Sequence, residues 1–184
     1  MERILSLGRV RVGSPVLDKC FMALFFFLAT ALGAYVEIPL PFTPVPLTLQ
    51  TFFVLLGAAA LGGGWGAAVQ SAYLGAGAIG AGFFAGGAAG LVHLWGPTAG
   101  YLWAFVPASL LVGSLHGRCR SNAGRIIVLS ASAFLILACG AAWLAISMGL
   151  PARAAFLMGV APFLPGEALK VAAAASVLPL LARR

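Results

Sequence analysis

Acidic side chains are nearly absent: Glu2, Asp18, Glu37 and Glu167 are the only four in 184 residues. Charged residues of both signs reach 8%, whereas a water-soluble domain carries roughly a quarter. That shortage excludes a soluble globule, whose surface would need the missing charge. Cysteine is also scarce, and Cys20, Cys119 and Cys139 form no CxxC pair and no metal-ligand spacing. They read as unpaired thiols, with Cys20 and Cys119 on a reducing cytoplasmic side. No glycine run is followed by the Lys-Ser/Thr of a phosphate-binding loop, which excludes ATP hydrolysis by that route. A GxSxG elbow and a catalytic Cys/His arrangement are both missing, so the chain reads as a non-enzyme without cofactor or metal. The net charge of +7 has no basic face with interleaved aromatics, which excludes nucleic acid as a partner.

What is present is apolar. Hydrophobic residues make up 62% of the chain and the mean hydropathy is +1.06, so the exterior must face lipid. At about 20 residues per span, the length admits five to seven helices and no soluble domain. Breaks at proline and glycine place spans at about 20–38, 47–61, 65–79, 98–115, 126–149 and 166–181. Ala29-Thr30-Ala31 fits a small-x-small cleavage site. The apolar run continues to Ile38, however, which suits a retained first helix. Residues 39–46 hold four prolines, forbid helix and form a stiff extended loop. A Gly-rich connection runs from Gly80 to Pro97, and the proline-broken stretch from Pro151 to Pro165 belongs at an interface.

Charge placement orients the spans. Arg3, Arg9, Arg11, Lys19, Arg118, Arg120, Arg125, Arg183 and Arg184 fall on one side of a six-span arrangement, against Arg153 on the other. Basic residues mark the cytoplasmic face. The chain is therefore an all-α, six-helix membrane protein, one integral domain over 1–184, with both termini cytoplasmic.

Polar residues inside apolar spans are functional candidates. Glu167 and Lys170 are three apart, on one helix face. Pro165-Gly166 before them starts a helix, so Glu167 sits in its first turn, where the macrodipole favours an anion. Lys170 lies about 20 Å from Arg183 at 1.5 Å per residue, which places the pair in the outer half of the membrane. Either a ligand grip or an ion pair pinning the bundle fits this spacing. Gln50 offers a donor and an acceptor, for a ligand or for a neighbouring helix. Gln70 and Tyr73, one turn apart, carry the same two readings. His93 is a solvated loop histidine or a donor to an anionic ligand, and His116 meets lipid headgroups. Ala29 with Gly33 and Thr30 with Ala34 put small residues at four-residue spacing, suited to close packing inside the bundle or against a partner.

Three ordered motifs carry a family resemblance: Pro44-Val45-Pro46-Leu47-Thr48-Leu49-Gln50-Thr51, Gly96-Pro97-Thr98-Ala99-Gly100-Tyr101, and Pro162-Phe163-Leu164-Pro165-Gly166-Glu167-Ala168-Leu169-Lys170. Over residues of about 20 to 182 the chain resembles the BioY family, the biotin-specific S components of energy-coupling factor transporters. The resemblance implies a six-helix S-component bundle in the bacterial inner membrane that captures biotin from outside. It also implies docking on a membrane T component driven by two cytosolic ATPases, with the small-residue face Ala29, Thr30, Gly33 and Ala34 meeting the T component. Glu167 stands where the family usually has Asp.

On this reading Glu167 accepts from the ureido N–H groups of biotin, and Lys170 or Gln50 donates to the ureido oxygen. Trp95, Tyr101, Phe83 and Tyr73 wall the ring, and His93, Gln70 or backbone N–H groups meet the carboxylate. The alternative is a self-sufficient secondary carrier or channel with Glu167 as a proton site.

Overall fold

A computed structural model describes residues 14–182. The basic residues Arg3, Arg9, Arg11, Arg183 and Arg184, on which part of the orientation rests, lie outside the described residues. Helix α1 (Pro15–Tyr35) starts where the Ser14 hydroxyl accepts from the Leu17 N–H and Pro15 takes the first helical position, a site that needs no N–H donor. It ends three residues before the expected Ile38. Glu37–Ile38 instead forms strand β1, paired antiparallel with β2 (Leu47–Thr48). The proline stretch is thus the loop of a small ribbon. Leu49 N–H donates to the carbonyls of Gly33 and Val36 and folds this ribbon back onto the end of α1.

Helix α2 (Gln50–Leu61) follows, then α3 (Gly63–Ala78). A strap over residues 79–98 contains two short 3₁₀ turns and leads to α4 (Ala99–Leu115). Gly86 and Gly87 both have positive φ, 68° and 73°, a conformation that other residues rarely hold. The strap therefore turns back on itself at that point. The basic turn leads to α5 (Asn122–Met148), four residues earlier than expected because Ser121 caps it through Gly124 N–H.

The stretch 151–165 is not a simple break. It contains helix α6 (Ala152–Gly159) and leads through a 3₁₀ turn into α7 (Leu164–Ala182). Its three prolines occupy helix-start positions, where a missing N–H costs nothing. Pro151 precedes α6, Pro162 lies in the 3₁₀ turn and Pro165 sits in the first turn of α7.

Helix α2 is central and packs against α1, α3, α4 and α7. At 12 residues it is about 18 Å long, short of the roughly 30 Å hydrocarbon thickness. Residues of the ribbon and the strap lie beside its N-terminal turn. Two apolar clusters hold the bundle. One surrounds Tyr73, Phe84, Tyr101, Phe105 and Phe163, and the other surrounds Phe26, Leu55, Leu129 and Leu178. Large apolar side chains also cover the outside, among them Leu24, Phe25 and Leu32 on α1 and Ile127, Phe134 and Ile146 on α5. Such an exterior suits lipid, not water. Among the described residues, four helical stretches are long and apolar enough to cross a membrane: Pro15–Tyr35, Ala99–Arg118, Asn122–Met148 and Ala152–Pro179.

Candidate ligand cavity

A cavity of about 450 Å³ opens between the ribbon, the strap, and helices α2, α4, α5 and α7. Its wall is mostly apolar: Leu40, Val45, Phe84, Tyr101, Phe105, Leu137 and Phe163 line it. Polar groups gather where α2 and α7 meet, namely Gln50, Thr51, Glu167 and Lys170, with Glu37 and His93 also on the lining.

The charged pair lies on one helix and is completed by a second. Glu167 lies in the first turn of α7, and Lys170 one turn later reaches back to its Oε1 at 2.5 Å. The pair is buried, with Glu167 6% and Lys170 8% exposed. Thr51 on α2 completes it: its hydroxyl donates to Glu167 Oε1 at 2.8 Å and accepts from Lys170 Nζ at 2.8 Å. Burying two charges is costly unless they are paired and hydrogen-bonded, and this triad meets that need on one side only. Glu167 Oε2 is buried without a hydrogen-bond partner. Lys170 has three N–H donors and uses two of them on Glu167 and Thr51. The triad therefore leaves one carboxylate oxygen and one ammonium N–H unpaired within it.

Gln50 is 4% exposed. Its Nε2 donates to the Tyr73 hydroxyl at 2.5 Å, its Oε1 accepts from the Thr48 hydroxyl at 3.2 Å, and the Tyr73 hydroxyl donates to the Phe83 carbonyl at 2.8 Å. Tyr101 lines the cavity and donates to the Gly159 carbonyl at 2.7 Å, tying α4 to the end of α6.

Glu167, Lys170, Gln50, Tyr101 and His93 thus share one cavity. Four other candidates do not line it. Tyr73 is fully buried behind Gln50. Gln70 is buried elsewhere, donating to the Thr30 hydroxyl at 3.4 Å. Phe83 turns its ring edge-on to Phe27, while its neighbour Phe84 faces the cavity. Trp95 is 69% exposed and leans on Trp143. Alternating side-chain direction in the strap separates Phe83 from Phe84, and no helical or strand period exists there to reveal it. Thr51, Phe105 and Phe163 are cavity residues that spacing did not single out. Thr51 adjoins Gln50 in the first turn of a helix, which was the available signal.

The face expected to meet a partner is internal. Ala29, Thr30, Gly33 and Ala34 are all buried, and a Cβ on Gly33 would come within 3.0 Å of the Phe53 ring and 3.2 Å of the Gln50 backbone N. Small residues here let α1 approach α2 closely, so the fold itself uses this surface.

An apolar exterior, membrane-length helices and a cavity with few convergent polar groups define a membrane-embedded ligand-binding protein. The sequence model described as the BioY family matches residues 8–184. The chain is 34% identical over 152 residues to the biotin transporter BioY of Thermotoga maritima, covering 83% of this chain and 88% of that one. It is 35% identical over 167 residues to the biotin transporter BioY of Rhodobacter capsulatus, covering 82% and 85% of the two chains. A crystal structure of the S-component for biotin from an ECF-type ABC transporter superposes with a TM-score of 0.85. At 22% identity over 91% of this chain and 92% of that one, it has the same fold. The chain belongs to the BioY family, and it is a multi-pass protein of the cell membrane.

Proposed function

We propose that this protein is the substrate-binding subunit of a biotin importer and not an enzyme. The observation that carries the reading is the triad of Glu167, Lys170 and Thr51 in the wall of a mostly apolar cavity. Biotin combines an apolar fused ring, two ureido N–H groups, one ureido oxygen and a carboxylate tail. Glu167 Oε2 accepts from a ureido N–H, and the third N–H of Lys170 donates to the ureido oxygen. Tyr101, Phe105 and Phe163 enclose the ring, and the tail runs toward His93. A volume of about 450 Å³ lies within the range of about 300–1,000 Å³ for small-molecule sites.

Six helices (α1, α2, α3, α4, α5 and α7) serve as spans, with the cavity toward the outside and both termini cytoplasmic. Chain direction supports this orientation. Helices α1 and α3 end near the cavity and strap, and α4 and α7 begin there. Arg118, Arg120 and Arg125 therefore sit at the opposite end, where positive charge marks the cytoplasm. A membrane T component and two cytosolic ATPases supply the energy.

Titrating the full-length chain in lipid nanodiscs with biotin, thiamin and riboflavin by calorimetry tests the reading. Binding of biotin alone is expected. Binding of none, or of another vitamin in preference, defeats it. Biotin uptake in a host without any T component should fail, and persistence driven by a proton gradient would favour a secondary carrier instead.

A further inference from the structure

Tyr73 contributes nothing to the cavity lining and is fully buried, yet it governs a residue that does line it. A phenol hydroxyl has one proton. The Phe83 carbonyl can only accept, so that proton is committed to Phe83. The Tyr73 oxygen is then left to accept, and it accepts from Gln50 Nε2. This fixes the amide: nitrogen toward Tyr73, oxygen toward the Thr48 hydroxyl. A glutamine amide free of such a partner turns over with almost no change of shape, exchanging donor for acceptor.

The same phenol also anchors the strap. It holds the Phe83 carbonyl at 2.8 Å and meets Phe84 edge-on at 5.8 Å. One turn further along α3, Gly77 leaves the space that the Phe84 ring fills, since a Cβ there would lie 2.2 Å from it. Phe84 faces the cavity.

We propose that Tyr73 is a positioning residue that sets the polarity Gln50 shows to the ligand. The ligand then meets one orientation of the amide. This inference rests on the biotin reading for its affinity test, and on geometry alone for a second test.

The affinity test is a double-mutant cycle with full-length protein in nanodiscs. Tyr73→Phe should weaken biotin binding by about tenfold, the scale of one lost hydrogen bond in a buried site. In a Gln50→Ala background the same change should weaken it by less than about twofold, because the residue it positions is gone. Equal weakening in both backgrounds would make Tyr73 a packing pillar and overturn the proposal.

The second test needs no ligand. The chain has two glutamines, Gln50 and Gln70, so [¹⁵N]glutamine labelling gives two side-chain NH₂ pairs, assigned with Gln50→Ala. Tyr73→Phe should shift the Gln50 pair and leave the Gln70 pair in place. An unmoved Gln50 pair would overturn the proposal whether or not biotin binds. Absence of biotin binding to the wild-type chain, with the Gln50 pair shifted by Tyr73→Phe, would defeat the biotin reading while sustaining the positioning role.

Discussion

Thr51 on α2 and Glu167 on α7 stand 116 residues apart in the chain, and the threonine hydroxyl donates to the carboxylate at 2.8 Å. Its proton being used there, its oxygen accepts from Lys170. One hydroxyl thus joins two helices and bonds to both charged groups.

Replacing Thr51 with Val keeps the volume and removes the bridge. Biotin affinity should fall by roughly tenfold or more, the scale of one hydrogen bond to a charged group, and Thr51→Ser should recover most of it. Calorimetric titration of the three proteins checks this. Val and wild type binding alike would remove Thr51 from the site.

Breaking the buried pair on one side leaves a lone charge. Lys170→Met alone should destabilise the chain by about 3–5 kcal/mol, read as a lower melting temperature in detergent. Adding Glu167→Gln should restore most of the stability, because no charge then remains buried. It should not restore biotin binding, which separates the stabilising role of the pair from the binding role. Recovery of both would assign the pair to structure alone.

Gly140 on α5 faces Tyr101, and a Cβ there would come within 2.2 Å of the ring. Gly140→Ala should push Tyr101 toward the cavity, costing about 1–3 kcal/mol from overpacking and weakening biotin binding together with stability. Gly75, with nothing within 4 Å, is the control. Gly75→Ala should leave binding unchanged and raise stability by up to about 1 kcal/mol.

The buried face of α1 predicts a different outcome from a docking surface. Ala29→Leu should lower the melting temperature of the isolated chain, because Ala29 is 7% exposed. Loss of partner association with an unchanged melting temperature would return this face to the exterior.

Cys119 lies between Arg118 and Arg120 at the end away from the cavity. With Cys20 and Cys139 replaced by serine, a membrane-impermeant maleimide should label Cys119 from the cytosolic side only. Labelling from outside would invert the orientation.

Much of this architecture was legible in composition, because a chain with so little charge has few ways to be stable. Helix limits followed from proline and glycine except where pairing intervened. Ser121 moved the start of α5, and strand pairing at Glu37–Ile38 shortened α1. Helix α6 stayed hidden because three prolines read as breaks, although each sits at a helix start. Within the site, Glu167 and Lys170 were visible as isolated charges in an apolar run. That Tyr73, Phe83 and Trp95 lie off the cavity lining was not legible, since a side chain's direction within an irregular strap or a mostly apolar helix leaves no periodic trace. The small face of α1 fitted internal and external packing equally, and burial alone separates the two.

A grip of Glu167 and Lys170 on the ureido group of biotin depends on free ureido N–H groups. The most direct measurement compares biotin with an analogue methylated on its ureido nitrogens, by calorimetric titration of the nanodisc-embedded chain. Biotin should bind and the methylated analogue should lose at least about tenfold in affinity, as expected for hydrogen bonds to charged groups. Equal affinity for the two would rule out that grip.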